Sequence, residues 1–198
     1  MQSNNIKEIA DQILSGGVGI FPFDTIFGLT GLVNQHTIQR IADIKQRPYT
    51  QPFLFVFPNQ ELLMDWIQPL TDSQNVMLSE YWPGSVTFVL PKADHVASGL
   101  VAGKLTIAAR CPDFAPLQQL FTYIKQPLIS TSVNFSGELF IKDIDSISVA
   151  MRSKVDFVYK YSYSAQKQPS TMADLTTKPF KILRQGDVVI NSSLFEMI

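Results

Sequence analysis

The sequence contains very little cysteine and histidine. Among its 198 residues, Cys111 is the single cysteine and there are two histidines. A single cysteine excludes an internal disulfide bond and a zinc site built from several cysteines. Low cysteine usage is typical of proteins from a reducing compartment.

The sequence also lacks a long apolar run and a large net charge. No stretch approaches the ~20 apolar residues that span a bilayer, and residues 1–5 lack the basic and apolar blocks of a signal peptide. The formal net charge of −1 supplies no general attraction to nucleic acid or to a membrane surface. These absences predict a cytoplasmic protein without a membrane association.

The residues that are present predict one α/β domain over 1–198, because hydrophobic residues make up 45% of the chain and charged residues 17%. Several late strands follow one another too closely for helical crossovers, which predicts a mixed sheet with flanking helices. A glycine-rich turn is expected over 24–31. Strands are expected at 18–23, 53–57, 85–90, 105–110, 127–133, 155–159, 171–175 and 181–183. Helices are expected at 6–14, 37–45, 60–67, 73–81, 115–124 and 147–153.

The most informative segment is 130–137, where an apolar strand turns into a run of hydroxyl and amide side chains. Alternation along a strand sends Ser130, Ser132 and Asn134 to one face. In open α/β sheets, ligands bind at the edge formed by the carboxyl ends of the strands. The segment therefore predicts a site for phosphate or carboxylate oxygens at that edge.

Three basic residues carry both a functional and a structural interpretation. Lys45 ends a predicted helix and Arg47 follows it, and the two could clamp a phosphate chain, or they could complement the helix C-terminus. Arg110 ends an apolar strand, where an arginine can either bind an anion or simply lie on the surface. Spacing alone leaves these alternatives open.

Two further segments carry the same ambiguity, and one candidate nucleophile is set aside. Thr25 precedes Gly28 in a turn that suits a small polar substrate or a capped loop. Ser170 and Arg184 would complete an oxyanion-binding ring or serve as turn residues. We interpret Cys111 as a packing residue, because no histidine has a sequence context that pairs with it.

Taken together, these segments resemble the YrdC/YciO family. The resemblance runs from about residue 16 to 186, nearly the whole chain, and keeps the family's order. The matching segments are FPFDTIFGL at 21–29 (family YPTDTVYGL), KQRP at 45–48 (KxRP), WPGSVT at 82–87 (WPGPVT), TIAAR at 106–110 (TVAVR), STSVNFSG at 130–137 (STSANxSG), PST at 169–171 and LRQG at 183–186.

The resemblance implies a twisted, open mixed sheet with a large, basic concave cleft. It also implies the family's reaction, in which L-threonine, bicarbonate and Mg²⁺-bound ATP form threonylcarbamoyl-AMP and pyrophosphate. The product supplies the N6-threonylcarbamoyl group of certain tRNAs, so a tRNA-modification transferase complex is the implied partner. No cluster of carboxylate residues in the sequence indicates where the metal ion would bind.

The family's functional positions transfer to this chain residue by residue. The resemblance implies that the nucleotide phosphates are handled by Lys45, Arg47, Ser132 and Asn134. It places Thr106 and Arg184 on the ATP side. It assigns threonine binding to Thr25, Arg110, Ser130 and Ser170.

The chain departs from the family pattern at three positions, and two other functions remain as alternatives. Phe23 replaces a threonine, Gln51 replaces a lysine found in many members, and Ser85 replaces a proline. The first alternative is an RNA-binding module, which the net charge of −1 disfavours. The second is a related carbamoyl or nucleotidyl transfer with another substrate, which Phe23 keeps open.

Overall fold

The computed structural model describes residues 2–135, 141, 143–161 and 168–191, so Ser136 and Gly137 of the hydroxyl-rich segment lie outside the described residues. The described strands are β1 (Gln2–Ser3), β2 (Gly19–Pro22), β3 (Phe27–Leu32), β4 (Leu54–Val56), β5 (Val86–Pro91), β6 (Thr106–Arg110), β7 (Leu128–Ser132), β8 (Phe157–Tyr159), β9 (Thr171–Asp174) and β10 (Lys181–Arg184).

The α-helices occupy the regions where the apolar periodicity predicts them. Their bounds are α1 (Ile6–Leu14), α2 (Gln35–Lys45), α3 (Gln60–Met64), α4 (Asp72–Tyr81), α5 (Ala115–Tyr123) and α6 (Val149–Arg152). Short polar side chains set several of the N-termini, and Thr71 and Gln74 form a complete capping box at α4. No helix within the described ranges is long and apolar enough to cross a bilayer.

One mixed sheet of ten strands organises the chain, in the order β1-β8-β2-β3-β7-β4-β6-β5-β9-β10. The pairs β1–β8, β2–β8, β4–β6 and β5–β9 are parallel, and the other pairs are antiparallel. The predicted α/β class and the mixed sheet are confirmed. The short strand β1 was not expected from the sequence.

The predicted turn over 24–31 is wrong, because most of it forms β3. This strand pairs with β2 on one side and with β7 on the other. A Cβ atom at Gly28 would lie 2.5 Å from Ser130 Oγ and 2.6 Å from Phe23 Cε2, so only glycine lets these side chains approach. Pairing on both sides therefore overrides the low strand propensity of this segment.

The two faces of the sheet are covered by different helices. Alternate residues divide accordingly, since Ile20 and Phe55 belong to a core with α2 and α4. Phe21 and Val56 belong to a second core with α1 and α5. The helices α1 and α5 cover only part of the second face of the sheet. The part that they leave uncovered contains the pocket described below.

Asp156 ties three elements together next to β8. Its Oδ2 accepts hydrogen bonds from the backbone N–H of Val18 at 2.8 Å and from Arg40 Nη1 at 2.5 Å. Its Oδ1 accepts from Arg40 Nη2 at 2.8 Å. The hydrogen bond from Arg40 is the main cause that lowers the pKa of Asp156.

We expect Asp156→Asn to lower the Tm by about 2–4 °C near pH 7, for the loss of ~1 kcal/mol. Because the folded-state pKa of Asp156 is depressed, the stabilisation is present above the unfolded pKa of about 4 and disappears as the pH falls through the lower folded value. Thermal unfolding from pH 7 to pH 3 measures this. Asp11→Asn, which breaks an exposed ion pair with Lys7, is the control and should change the Tm little. Equal Tm values for Asp156→Asn and the parent at pH 7 would contradict the assignment.

Candidate functional site

A pocket of about 400 Å³ lies on the face of the sheet that α1 and α5 leave partly uncovered. This volume is typical of small-molecule sites. The lining residues that bear on its chemistry are Thr25, Gly28, Arg47, Arg110, Ser130, Thr131, Ser132, Asn134, Ser170 and Arg184. Ser130 stands within β7, opposite Thr30 of β3 and Leu54 of β4. Ser132 ends β7 and Asn134 follows it, as expected for the carboxyl end of a strand, whereas Ser130 lies inside the strand. The site therefore extends from that edge onto the face of the sheet.

Arg110 forms the floor of one end of the pocket. Its side chain is only 2% exposed, and its guanidinium forms a salt bridge with Asp24. Nη1 donates to Thr25 Oγ1 at 3.1 Å, and Nε donates to the carbonyl oxygen of Gly84 at 2.9 Å. These contacts fix the guanidinium, so it offers a pre-oriented cation to a ligand.

Asp24 and Ser85 support Arg110 at this end of the pocket, which was not predicted from the sequence. Asp24 is 7% exposed, and its Oδ2 also accepts a hydrogen bond from Ser85 Oγ at 2.9 Å. A buried arginine requires a counter-charge, and this requirement is the signal that could have identified an acidic residue next to Thr25. The replacement of proline by Ser85 thus adds a hydrogen bond to the carboxylate that holds Arg110.

The opposite wall comes from β9 and β10. An irregular register between Ile182 and Arg184 places Arg184 opposite Met172, which also lines the pocket. Such a bulge re-aims a side chain on an edge strand. Arg184 Nη2 donates to Ser170 Oγ at 3.1 Å, and its Nε donates to the carbonyl oxygen of Ser170 at 3.0 Å.

Arg47 enters the pocket because α2 ends at Lys45. Gln46 adopts a left-handed conformation with a φ of 54°, and the N–H of Arg47 then donates to the carbonyl oxygen of Ala42 at 3.0 Å. This arrangement is a common helix C-terminal motif. The Arg47 guanidinium lies 3.9 Å from the centre of the Phe53 ring. The prediction that Arg47 lies outside the helix is confirmed.

Lys45 lies beneath the pocket and supports its polar segment. Its side chain is 4% exposed. Nζ donates to the carbonyl oxygen of Ser132 at 2.6 Å, to that of Asn134 at 2.8 Å and to Asn134 Oδ1 at 2.9 Å. Ser132 Oγ donates to the same Oδ1 at 2.5 Å. The ammonium group therefore fixes both the backbone and the side chain of the segment that ends β7.

The pocket carries an excess of positive charge. Arg110 is paired with Asp24, whereas Arg47 and Arg184 have no carboxylate partner within the described ranges. Burial lowers the pKa of Arg47 to about 10 and also lowers the pKa of Arg184, yet a pKa near 10 keeps Arg47 charged at pH 7. An anion would replace the water that these guanidinium groups lose on burial.

The sequence of this chain matches a family model over residues 11–186. That model carries the description "Telomere recombination" and covers Sua5, YciO and YrdC. The chain belongs to the Sua5/YciO/YrdC family. The resemblance found in the sequence motifs is thereby confirmed.

A curated relative and two solved structures extend this finding. A protein named threonylcarbamoyl-AMP synthase, from Blochmanniella pennsylvanica, is 28% identical over 186 residues, which are 92% of this chain and 94% of the relative. E. coli YciO matches with a TM-score of 0.83 and 25% identity, over 98% of this chain and 97% of YciO. P. abyssi Sua5 in complex with L-threonine matches with a TM-score of 0.86 and 25% identity. That match covers 94% of this chain but only 56% of the Sua5 chain.

The structure brings together most of the positions that the family resemblance assigned. Eight of the ten assigned residues line one pocket, and these are Thr25, Arg47, Arg110, Ser130, Ser132, Asn134, Ser170 and Arg184. Lys45 and Thr106 are not among the described residues that line it. Lys45 acts from below through its hydrogen bonds, and Thr106 stands at the start of β6, opposite Pro91. The roles of all these residues in binding stay predictions.

Two departures from the family pattern have different surroundings. Phe23 is buried and lines the pocket, where its ring packs edge-on against Phe21 at a centroid distance of 6.3 Å. It therefore presents an apolar surface beside Thr25 where the family pattern has a hydroxyl. Gln51 is exposed, and its backbone oxygen accepts a hydrogen bond from Arg47 Nη2 at 3.3 Å.

We expect Cys111 to be chemically inert and dispensable. Its side chain is 1% exposed, and burial raises the pKa of its thiol to about 12. At pH 8 the thiol is therefore protonated, and alkylation by iodoacetamide should be slow until the protein unfolds. Mass spectrometry of native and urea-treated protein measures the difference. Fast alkylation of the native protein, or loss of activity in Cys111→Ala without loss of fold, would contradict the packing role.

No group of three or more His, Cys, Asp or Glu side chains is placed to hold a metal ion across residues 2–135, 141, 143–161 and 168–191. The pocket instead offers guanidinium, hydroxyl and amide groups. This donor set suits the phosphates of a nucleotide that brings its own Mg²⁺, since Mg²⁺ is commonly bound through substrate phosphates.

Proposed function

We propose that this protein is a threonylcarbamoyl-AMP synthase. It would join L-threonine, bicarbonate and ATP to give threonylcarbamoyl-AMP, pyrophosphate and water. The observation that carries the proposal is that Arg47, Arg110 and Arg184 line the same pocket. Arg47 and Arg184 lack carboxylate partners within the described ranges, and Arg110 is fixed next to the hydroxyl group of Thr25. The family membership and the relative that bears this enzyme's name support the proposal.

We place the two organic substrates at opposite ends of the pocket. The amino acid would lie at the end with Thr25, Arg110, Ser130 and Ser170, where a cation and hydroxyl groups suit a carboxylate and a side-chain hydroxyl. The relative P. abyssi Sua5 forms a complex with L-threonine. ATP would lie toward Arg47, Ser132, Asn134 and Arg184, with Thr106 on the same side.

The proposed chemistry requires charge stabilisation more than a reactive side chain. The threonine amine first reacts with bicarbonate to give a carbamate. A carbamate oxygen then attacks the α-phosphorus in line, and the bond to pyrophosphate breaks. Negative charge accumulates on the phosphates, where the guanidinium groups of Arg47 and Arg184 would stabilise it. Mg²⁺ would arrive with ATP, and the enzyme would be classed as a nucleotidyltransferase.

A coupled pyrophosphate-release assay tests the proposal. Purified protein is incubated with Mg-ATP, bicarbonate and L-threonine in the presence of pyrophosphatase, and each substrate is omitted in turn. We expect release of phosphate from pyrophosphate only in the complete mixture. Release that does not depend on threonine, or no release under conditions in which an established synthase is active, would refute the proposal.

Two wider expectations accompany this function. The product would be passed to a tRNA-modification transferase complex, which would be the protein's partner. A direct contact with RNA is a separate prediction, and the net charge of −1 does not favour it. RNA-binding titrations at two salt concentrations measure it, and tight binding to RNA without binding to ATP would favour the RNA-binding alternative.

A further inference from the structure

A buried hydroxyl group stands directly behind the pocket. Thr87 lies in β5 and is completely buried. Its Oγ1 is 2.7 Å from Ser170 Oγ, at a distance where either oxygen can be the donor. Ser170 itself lines the pocket and is 4% exposed. The direction of this hydrogen bond decides what Ser170 can offer to a ligand.

The surroundings of Thr87 determine that direction. Among the described residues, Ser170 Oγ is the single hydrogen-bond partner of Thr87 Oγ1. A threonine hydroxyl buried in a sheet needs an acceptor for its proton. If Ser170 were the donor, the Thr87 proton would be buried without an acceptor, at the full desolvation cost of that group. Thr87 is therefore the donor and Ser170 the acceptor.

Arg184 occupies the second acceptor position of Ser170. Its Nη2 donates to Ser170 Oγ at 3.1 Å. A guanidinium group only donates, and a hydroxyl oxygen has two lone pairs. Both lone pairs of Ser170 are thus used by Thr87 and Arg184. What Ser170 has left is its own O–H, and the open side of the residue faces the pocket.

We propose that Thr87 is a positioning residue that makes Ser170 a hydrogen-bond donor only. This point of the pocket then accepts an anionic oxygen and disfavours an N–H group. The inference rests on the proposed function, in which that oxygen belongs to the amino-acid carboxylate or to an ATP phosphate. It adds an orientation, since the ammonium group of the amino acid must point away from Ser170.

Binding measurements on two variants test the inference. Thr87→Val keeps the shape and removes the hydroxyl, whereas Thr87→Ser keeps the hydroxyl. Calorimetry would give the affinities of L-threonine, L-threoninamide and ATP for the full chain. We expect Thr87→Val to lower the affinity for L-threonine by about 3- to 10-fold, because one oriented hydrogen bond to the ligand is lost. Threoninamide should bind this variant unchanged or more tightly, because Ser170 can then turn and accept from an N–H.

The controls separate this inference from the proposed function. Thr87→Ser should restore the parent preference for threonine over threoninamide, and Thr87→Ala replaces Thr87→Val should the latter not fold. A loss confined to ATP affinity would support the inference and assign the oxygen to a phosphate. Unchanged affinities and an unchanged ratio in Thr87→Val would overturn the inference alone. Failure of the parent protein to bind either substrate would overturn the proposed function, and the inference with it.

Discussion

Lys45→Met is expected to abolish synthesis and to lower the Tm by about 6–12 °C, which corresponds to roughly 3 kcal/mol. Methionine keeps the packing of the aliphatic stem but removes the three hydrogen bonds that Nζ donates to Ser132 and Asn134. The carbonyl oxygens below the pocket lose a charged donor, and the segment that ends β7 loses its fixed position. Thermal unfolding and the pyrophosphate-release assay measure the two effects.

Lys92→Met provides a matched control. Lys92 is also buried, but within the part of the chain that the structure describes it donates a single long hydrogen bond, to the carbonyl oxygen of Ala93 at 3.3 Å. We expect this variant to keep most of its activity and to lose less stability than Lys45→Met. Equal losses in the two variants would mean that burial of a lysine stem, and not support of Ser132 and Asn134, determines the effect.

The second large effect is expected at Arg47. Arg47→Gln should lower kcat/KM by about 100- to 1,000-fold, as removal of one donor to a developing charge does in other enzymes. Its Nε is buried without a hydrogen-bond partner among the described residues, and its other contacts are long, at 3.3–3.5 Å. The guanidinium is therefore held over Phe53, and the long contacts of its Nη atoms can be replaced by shorter ones to a ligand.

Arg47→Lys should not restore activity, since an ammonium group has neither the planar fork nor the stacking of a guanidinium. Lys104→Gln removes an exposed cation outside the pocket and should behave like the parent protein. Steady-state kinetics and ATP-binding calorimetry measure these differences. Full activity in Arg47→Gln would contradict a phosphate-binding role.

Much of the fold could be predicted because the apolar spacing is regular in most elements. Helices such as 6–14 and strands such as 106–110 follow period and composition. The strand β3 could not be predicted, because Gly28 and Gly31 interrupt the alternation of apolar and polar residues that indicates a strand. A Cβ atom at Gly28 would meet Ser130 and Phe23, and one at Gly31 would meet Thr37, so the need for glycine appears only when the chain is folded.

The site could be predicted where its residues are of a type that commonly binds anions and lie in segments that resemble the family. Arg47, Arg110 and Ser170 were identified by residue type and by the family resemblance, and the structure places them in one pocket. Asp24 was not assigned to the site, because its role depends on a salt bridge with a residue 86 positions away. The roles of residues that support the pocket without lining it depend on contacts between distant parts of the chain, which a local sequence pattern does not show.

The most direct measurement is the fate of carbon from bicarbonate. The protein is incubated with ¹³C-labelled bicarbonate, L-threonine and Mg-ATP, and the AMP-containing product is examined by mass spectrometry. The proposed function predicts a product that contains threonine, one labelled carbon and AMP, and that requires all three substrates. A threonine–AMP adduct without the label, or ADP as the nucleotide product, would contradict it.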